Sequence, residues 1–559
     1  MRLKRIELYD DFRSLKSGFT LDFVDDYTSY DKNEQSIDPF CIVGKNGSGK
    51  SNILELLSAI FYQVEISCLD FLPREMVTRI EKIDDDEIEF EDEIELKIFQ
   101  SNITKPNAYK LEYYITHGSK EALVTIKKEA DKYRVIELTT YDDQGTPKRL
   151  NLDKVNLQNK ELPILPEYII GYSSGQNEIL SLPFFKMRLI QYDEYVNYLK
   201  VNNNFESHES RMVYLDDVFS QAIFITNFIY SDTKVNEVFK STIGIETVES
   251  FRIVINQNIN IKINDERKYI RSEVLNKIEL LKNCATMSYN NEDDINQLVL
   301  DYYLDDEVKK AFMLSFGYGK QGRLNLFQTL QTLINLNYYY IDESTKHKLY
   351  NSQSLFAKGY LPETPWNKRF FTFKHFMLKK QGTNETILSR SLSDGEYQFL
   401  HSIGLALIYR DTQSLFLLDE PETHFNPSWR AQYMSVLKQC FKETTTKAEF
   451  LITSHSPFIV SDTKTENVIL FEKNIEGNVQ REEIEFNTFG ASVNKITMKI
   501  FGQKETIGEV ANNKFKEYMN RFDSQKDIDT IIDDIDLEFG ESVEKILFMK
   551  MFFNKQKVK

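Results

Sequence analysis

Gly44-Lys45-Asn46-Gly47-Ser48-Gly49-Lys50-Ser51 is the stretch from which this chain is best read. Its spacing, G-x-x-x-x-G-K-[ST], is that of a phosphate-binding loop. The flanks agree with it. Phe40-Cys41-Ile42-Val43 in front is a short apolar run fit for a buried strand. Behind it Ile53, Leu57, Ile60 and Phe61 recur at helical spacing. Glycines at 44, 47 and 49 let the backbone bend until its N–H groups converge on phosphate oxygens. The start of the helix adds a partial positive charge. Lys50 can reach the β- and γ-phosphates, and the Ser51 hydroxyl can ligate magnesium. The expected phosphate-binding set is Gly44, Lys45, Asn46, Gly47, Ser48, Gly49, Lys50, Ser51 and Asn52.

The rest of the composition narrows what such a loop could serve. At 559 residues the chain should hold two to four structural units. A net charge of −17 argues against broad adhesion to nucleic acid or to anionic membranes, and leaves room for a local basic groove. Cys41, Cys68, Cys284 and Cys440 lie far apart with no C-x-x-C, so neither a zinc hook nor a disulfide framework is expected. The start of the chain does not read as a signal peptide, and no apolar run reaches the length of a membrane span. The expectation is a cytoplasmic protein without a membrane partner.

Along the chain, Leu3 to Tyr9 and Phe19 to Phe23 read as strands, and residues 1–80 form the first unit around the phosphate loop. Alternating segments within 81–165 read as an antiparallel β-subdomain inserted after the first helix. The acidic run Asp84 to Glu93 reads as a solvated approach to it. Residues 166–180 return to a core strand, Glu167 to Tyr172, and 181–365 are mainly helical in pattern. No heptad is sustained there, so long coiled-coil arms are not expected. A second core half spans 366–480, and 481–559 reads as a helical C-terminal region. Lys368, Arg369, Lys374, Lys379 and Lys380 interleave with Phe370, Phe371, Phe373 and Phe376. This is either a basic stacking strip for nucleic acid or a strand with aromatics inward and lysines outward.

Three further motifs bear on chemistry. In Leu392-Ser393-Asp394-Gly395-Glu396, Ser393 and Glu396 form a capping box that opens the apolar helix Phe399 to Ile408. The same helix start could hold a γ-phosphate. Leu415-Phe416-Leu417-Leu418-Asp419-Glu420 is a buried strand ending in two acids. Asp419 can hold magnesium beside Ser51. Alternation should turn Glu420 the other way, where it could take a proton from an attacking water. Phe450 to Thr453 is a strand that delivers His455 to its C-terminal edge, placed to hydrogen-bond a γ-phosphate and that water.

Together these motifs resemble the ABC-type ATPases. Gly44–Ser51 matches Walker A, Leu392–Glu396 the signature motif, Leu415–Glu420 Walker B and His455 the switch histidine. Asp394 stands where transporters usually carry glycine, a variant similar to the SMC, RecF and OLD-like branch. Pro421-Glu422-Thr423-His424 and the opening Asp11-Phe12-Arg13-Ser14 also look like that branch. The resemblance implies an α/β fold: an ABC-type P-loop ATPase head with a mixed β-sheet, an inserted antiparallel β-subdomain, a helical middle lobe and a short helical C-terminal region. It implies ATP and magnesium as cofactors, and it places Arg13 near the nucleotide. It makes Lys50, Glu420, His455 and Gln176 the catalytic group and Ser51, Asp419 and Gln176 the metal group. Gln176 follows the strand Tyr168 to Tyr172, where the family has its glutamine loop; Gln100 is the rival. Ser393, Gly395 and Glu396 are implied to meet nucleotide across a dimer, so the chain's first partner is itself, as a homodimer or a higher oligomer.

The overall layout resembles the ATPase subunit of Septu and retron-associated anti-phage systems, which work with a separate HNH-type nuclease. The OLD branch carries its own nuclease with clustered acids. Here Asp533, Asp534 and Asp536 sit in a helical pattern and read as a solvated face. A RecF- or SMC-like DNA-repair ATPase is the alternative, with DNA or RNA as a possible partner.

Overall fold

The architecture comes from a computed structural model. It describes all residues except 24–36, 70–76, 80–93, 97–104, 118–119, 131–133, 142–146, 153–163, 175–178, 202–210, 215, 232, 257–269, 292–295, 355–363, 366–367, 383–384, 443, 445–447, 504–506, 524–527, 543–544, 548 and 551–559.

The phosphate-loop strand Phe40–Gly44 lies inside a seven-stranded sheet. The order is Met212–Tyr214, Ile169–Ser173, Leu415–Asp419, Glu449–Thr453, Phe40–Gly44, Val468–Lys473 and Val479–Glu482. Only the last strand runs antiparallel to its neighbour. Strands buried on both faces read as continuous apolar runs, which explains Phe40-Cys41-Ile42-Val43 and Leu415-Phe416-Leu417-Leu418. Their side chains still alternate. Phe40, Ile42, Leu415 and Leu417 join one core, and Cys41, Val43, Phe416 and Leu418 join the other.

The helix Lys50–Ile66 lies in the first of those cores. Beyond it stands a six-stranded antiparallel sheet, ordered Thr20–Asp22, Arg2–Leu8, Tyr109–His117, Lys120–Lys128, Val135–Tyr141 and Pro147–Leu152. The antiparallel subdomain is therefore built on the N-terminal strands rather than beside them. The helix between two sheets is buried nearly all round, including Glu55, Gln63 and Glu65, which a one-sided apolar stripe does not anticipate.

On the other face of the seven-stranded sheet pack the helices Asp394–Ile408 and Pro427–Phe441. They continue into the middle lobe. Helices dominate that lobe, as the periodicity predicts, and Gly319–Asn335 buries Leu326, Phe327, Leu330, Leu333 and Ile334. The lobe also holds strands that the pattern did not suggest. Ile245–Asn256 is 12 residues long and pairs with both Gln297–Tyr303 and Phe371–Lys380 in a five-stranded antiparallel sheet. Phe371 and Phe376 are buried there, which settles the mixed basic and aromatic stretch as a strand facing its own core.

The helix Asp394–Ile408 is tied to the lobe by close contacts. Ser220 Oγ and His401 Nδ1 lie 2.6 Å apart, and Asn227 Nδ2 donates to the Gly404 carbonyl at 2.9 Å. A Cβ at Gly404 would stand 2.6 Å from Ile223, so glycine is what lets these helices touch. At the C-terminal end, Glu509–Asp523 and Ile528–Glu538 form a hairpin with a small core of Phe515, Tyr518, Ile531 and Ile535. Asp534 and Asp536 lie near Arg521 and Lys545, and no group of metal-ligating side chains occurs among the described residues. The acidic run 84–93 lies outside the described residues.

Candidate nucleotide site

The site forms at the carboxyl ends of the parallel strands, where open α/β sheets bind ligands. Gly44 ends its strand at φ 148°. A Cβ there would lie 2.3 Å from the Phe471 carbonyl oxygen, so no other residue fits the turn. Gly47 and Gly49 take φ 75° and 93°, the left-handed region that side chains resist. Lys45, Asn46 and Gly47 form the exposed crest, while Ser48, Gly49 and Lys50 are buried below it. Lys50 Nζ folds back over the loop to the carbonyls of Gly44 and Lys45, each at 3.2 Å. Burial lowers its pKa, and Glu420 and Asp419 oppose that shift.

Ser51 Oγ donates to Asp419 Oδ1 at 2.8 Å. Asp419 is fully buried between two register partners, Ser173 on one strand and Thr453 on the other. Thr453 Oγ1 donates to Oδ1 at 2.6 Å and Ser173 Oγ to Oδ2 at 3.3 Å. Burial raises the Asp419 pKa, and the hydroxyls of Thr453 and Ser51 pull it back. One carboxylate beside one hydroxyl, on a loop that presents phosphates, is a donor set suited to magnesium. That ion takes few protein ligands and completes its shell with water and phosphate oxygens.

Glu420 does not owe its direction to strand alternation. The strand ends at Asp419, and Glu420 itself sits at φ 47°. Its N–H donates to Thr453 O at 3.2 Å and Thr453 Oγ1 at 3.1 Å, which holds the turn. The two acids thus reach neighbouring places: Asp419 meets Ser51, and Glu420 Oε1 lies 3.4 Å from His455 Nε2. Burial first, then the Lys50 charge, holds the His455 pKa down at about 4. At neutral pH the imidazole is uncharged, so this is a close approach of imidazole and carboxylate rather than an ion pair. A turn held by a threonine, an acid and a neutral imidazole can orient a water and accept its proton.

Ser393 caps the helix Asp394–Ile408 with both halves of the box in place. The Glu396 N–H donates to Ser393 Oγ at 3.3 Å, and the Ser393 N–H donates to Glu396 Oε2 at 2.7 Å. Ser393 is exposed, and among the described residues it has no hydrogen bond to the phosphate loop. Gly395 is buried instead. A Cβ there would lie 2.7 Å from the His424 carbonyl oxygen, so Gly395 lets the helix start sit on the turn after Glu420. Gln176 and Gln100 lie outside the described residues. Arg13 is held by Glu55, one turn beyond Ser51. Its Nη2 lies 2.7 Å from Glu55 Oε1, and its Nη1 donates to the Gln353 carbonyl at 2.8 Å.

Several working residues escaped the sequence reading. Thr453 and Ser173 could have been found by aligning the strands, since both fall in the row of Asp419. Glu422 is buried, accepts from Ser454 Oγ and has its other oxygen unpartnered; burial pushes its pKa up to about 7. It links the Glu420 turn to the strand end that carries His455. Its own motif, Pro421 to His424, pointed at it without giving it a task.

Comparison with known proteins finds likenesses at a coarse level. The family described as "AAA domain, putative AbiEii toxin, Type IV TA system" matches residues 271–461, a stretch that holds Ser393, Asp419, Glu420 and His455 and begins after the phosphate loop. The Septu protein PtuA of Bacillus thuringiensis is 23% identical over 144 residues, covering 25% of this chain and 35% of that protein. The chain thus spans about a third of the length of that curated relative. Among solved structures, the SMC head domain from Thermotoga maritima matches at TM-score 0.31 and 12% identity, over 87% of this chain and all of that one. The SmcHead bound to the C-winged helix domain of ScpA matches at 0.34 and 13%, over 87% and 98%. The recombination mediator protein RecF with ATP matches at 0.26 and 14%, over 86% and 97%. The fold is a P-loop ATPase fold, α/β with mixed sheets, helical regions and an inserted antiparallel subdomain. No described helix is long and apolar enough to cross a membrane.

Proposed function

We propose that this chain binds and hydrolyses ATP, and that each nucleotide is enclosed between two copies in the manner of RecF- and SMC-like ATPases. One observation carries the reading. Phosphate loop, Ser51, Asp419, Glu420 and His455 converge within one chain, whereas the matching helix start at Ser393 is exposed and bonded only to itself. In this reading the loop N–H groups and Lys50 hold the phosphates. Ser51 and Asp419, with Gln176 as a further ligand, would hold magnesium, which would supply charge neutralisation at the phosphates. Glu420 accepts the proton of the attacking water, and neutral His455 donates a hydrogen bond to the γ-phosphate. Ser393 and the N–H groups behind it, from the other copy, close the far side. Phosphoryl transfer needs such positioning and charge stabilisation more than covalent help.

Mixing two dead variants tests this. Lys50→Ala should fail to hold nucleotide, and Ser393→Arg should hold it without turnover. Mixed, half the dimers carry one intact composite site of two, so activity should return to about a quarter of the parental rate. No recovery, or full activity of Ser393→Arg as a monomer, overturns the proposal.

The cellular task we infer is the RecF- or SMC-like one, ATP-controlled engagement of DNA. With a net charge of −17, DNA affinity should require the closed dimer and fall with salt. A second reading is favoured by the similarity to PtuA: control of a separate HNH-type nuclease in anti-phage defence. Co-purification with neighbouring gene products, with and without ATP, separates the two.

A further inference from the structure

A cavity of about 200 Å³ lies beside the phosphate-loop helix, between its residues Glu55 and Ala59, the loop at Phe12 and Arg13, and the first turns of the helix Ser181–Val201. Lys186, from that last helix, lines it and is only 5% exposed. No hydrogen bond or ion pair joins its ammonium to any of the described residues. The other buried or half-buried basic groups named near the site each have a partner. Arg13 has Glu55, Lys50 has two carbonyls, and Arg188 has Asp216 and Tyr338. Lys105 adds a third cation at the rim, while Asp11 across from it is paired with Lys16. The lining therefore carries three cations, Lys186, Arg13 and Lys105, against two carboxylates, Glu55 and Asp11, which are already paired with Arg13 and Lys16.

A buried charge is normally paired, because leaving water without a counterion is costly. The missing partner here is an anion. The volume suits a phosphate group with at most a short organic arm. The lining also has the right donors. The Lys186 ammonium has three free N–H groups, and the Arg13 fork has N–H groups to spare beyond those that meet Glu55 and Gln353. Burial, then the like charge of Arg13, holds the Lys186 pKa at about 8, low for lysine yet high enough to keep it charged at neutral pH.

We propose that this cavity is a second anion site, separate from the phosphate loop, which takes a compact phosphate-bearing ligand on Lys186 and Arg13. Because Arg13 grips Glu55 on the helix that begins at Lys50, an occupant would stiffen the base of the nucleotide site. The proposal does not depend on how ATP is hydrolysed.

The test uses the full chain with Lys50→Ala, so that the phosphate loop contributes little. Inorganic phosphate is titrated at constant ionic strength, by calorimetry and by melting temperature, with acetate as the carboxylate control. Saturable phosphate binding should appear and should weaken at least tenfold when Lys186→Met is added. Without phosphate, Lys186→Met should melt higher, since it removes an uncompensated charge. Ala59→Leu, which fills the cavity and keeps both cations, should also abolish binding. Binding that survives both changes, no binding in Lys50→Ala, equal binding of acetate, or a lower ligand-free melting temperature for Lys186→Met each overturn the site. In the otherwise unaltered chain, Lys186→Met should leave MgATP binding intact; a tenfold loss there would assign Lys186 to the nucleotide site and end the proposal while leaving the ATPase reading standing.

Discussion

The two ends of the candidate nucleotide site are built in opposite ways. At the phosphate loop, Asp419 is fully buried and takes hydrogen bonds from three separate segments, through Ser51, Thr453 and Ser173. At the signature end, Ser393 is exposed and satisfied by its own capping box. The first arrangement is over-determined within one molecule. The second is a stable helix start with an unused outward face. A site with one finished wall and one spare wall is what a symmetric pair of copies can complete, each copy supplying what the other lacks.

The largest effect should come from Glu420. Glu420→Gln keeps the size of the side chain and its contact with His455 but cannot accept a proton. Turnover should fall by roughly 10²–10⁴-fold, the usual worth of a general base, while MgATP stays bound. Phosphate release and nucleotide retention read the two parts separately, and size-exclusion in MgATP should show a persistent dimer. Unchanged turnover would move the base elsewhere and remove the meaning of the turn at φ 47°.

Thr453→Val attacks the finished wall. It is isosteric and deletes the donor to Asp419 and one of the two acceptors of the Glu420 N–H, leaving the Thr453 carbonyl. Leaving such groups unmade in a buried place costs about 1–3 kcal/mol. The loss should be visible in denaturant melts of the nucleotide-free chain, without any second copy. Ser393→Arg, at the spare wall, should cost only about 1 kcal/mol through the lost cap. Equal losses would erase the contrast between the two ends.

Gly395→Ala sharpens the same contrast. Its new methyl would press on the His424 carbonyl, and overpacking of this kind costs about 1–3 kcal/mol. The change should lower the melting temperature of the monomer as well as turnover, since it moves the helix start that carries Ser393. A stable variant with lost turnover would mean instead that Gly395 acts on nucleotide directly.

How far the sequence disclosed this site follows from where its information lies. Strand termini and the phosphate loop were legible because their constraints are local: a buried strand needs apolar residues, and a tight loop needs glycine at fixed offsets. Asp419 and Ser51 were legible together only because each belongs to a motif of known partner. Thr453, Ser173 and Glu422 depend on which strands lie side by side, and neighbour relations 34 and 246 residues apart leave no local trace. Glu420 shows a subtler limit. Alternation was the right rule for a strand, and the strand stops one residue earlier. Only the second half of the strand Ile245–Asn256, from Phe251 on, alternates buried and half-buried positions; its first half does not, so no single period runs through the strand.

The most specific effect concerns Glu422 behind the finished wall. Its pKa is raised from the ordinary carboxylate range to about 7 because burial disfavours the charged form. Between about pH 4.5 and 7 the folded chain therefore holds a proton that the unfolded chain releases. Stability must fall as pH rises through that window and level off above it. His455 runs the other way. Its folded pKa near 4 lies below the ordinary 6.5, so its contribution is lost as pH falls from 6.5 toward 4. Glu422→Gln removes the first term alone while keeping an acceptor for the Ser454 hydroxyl. Its melting temperature relative to the parent should be level near pH 4.5 and should climb steadily to pH 7.5, toward a gain of about 3 kcal/mol at most. A difference that stays flat with pH would mean that Glu422 is already charged in the folded chain and has a counterion. The link between the Glu420 turn and the His455 strand would then be an ionic one.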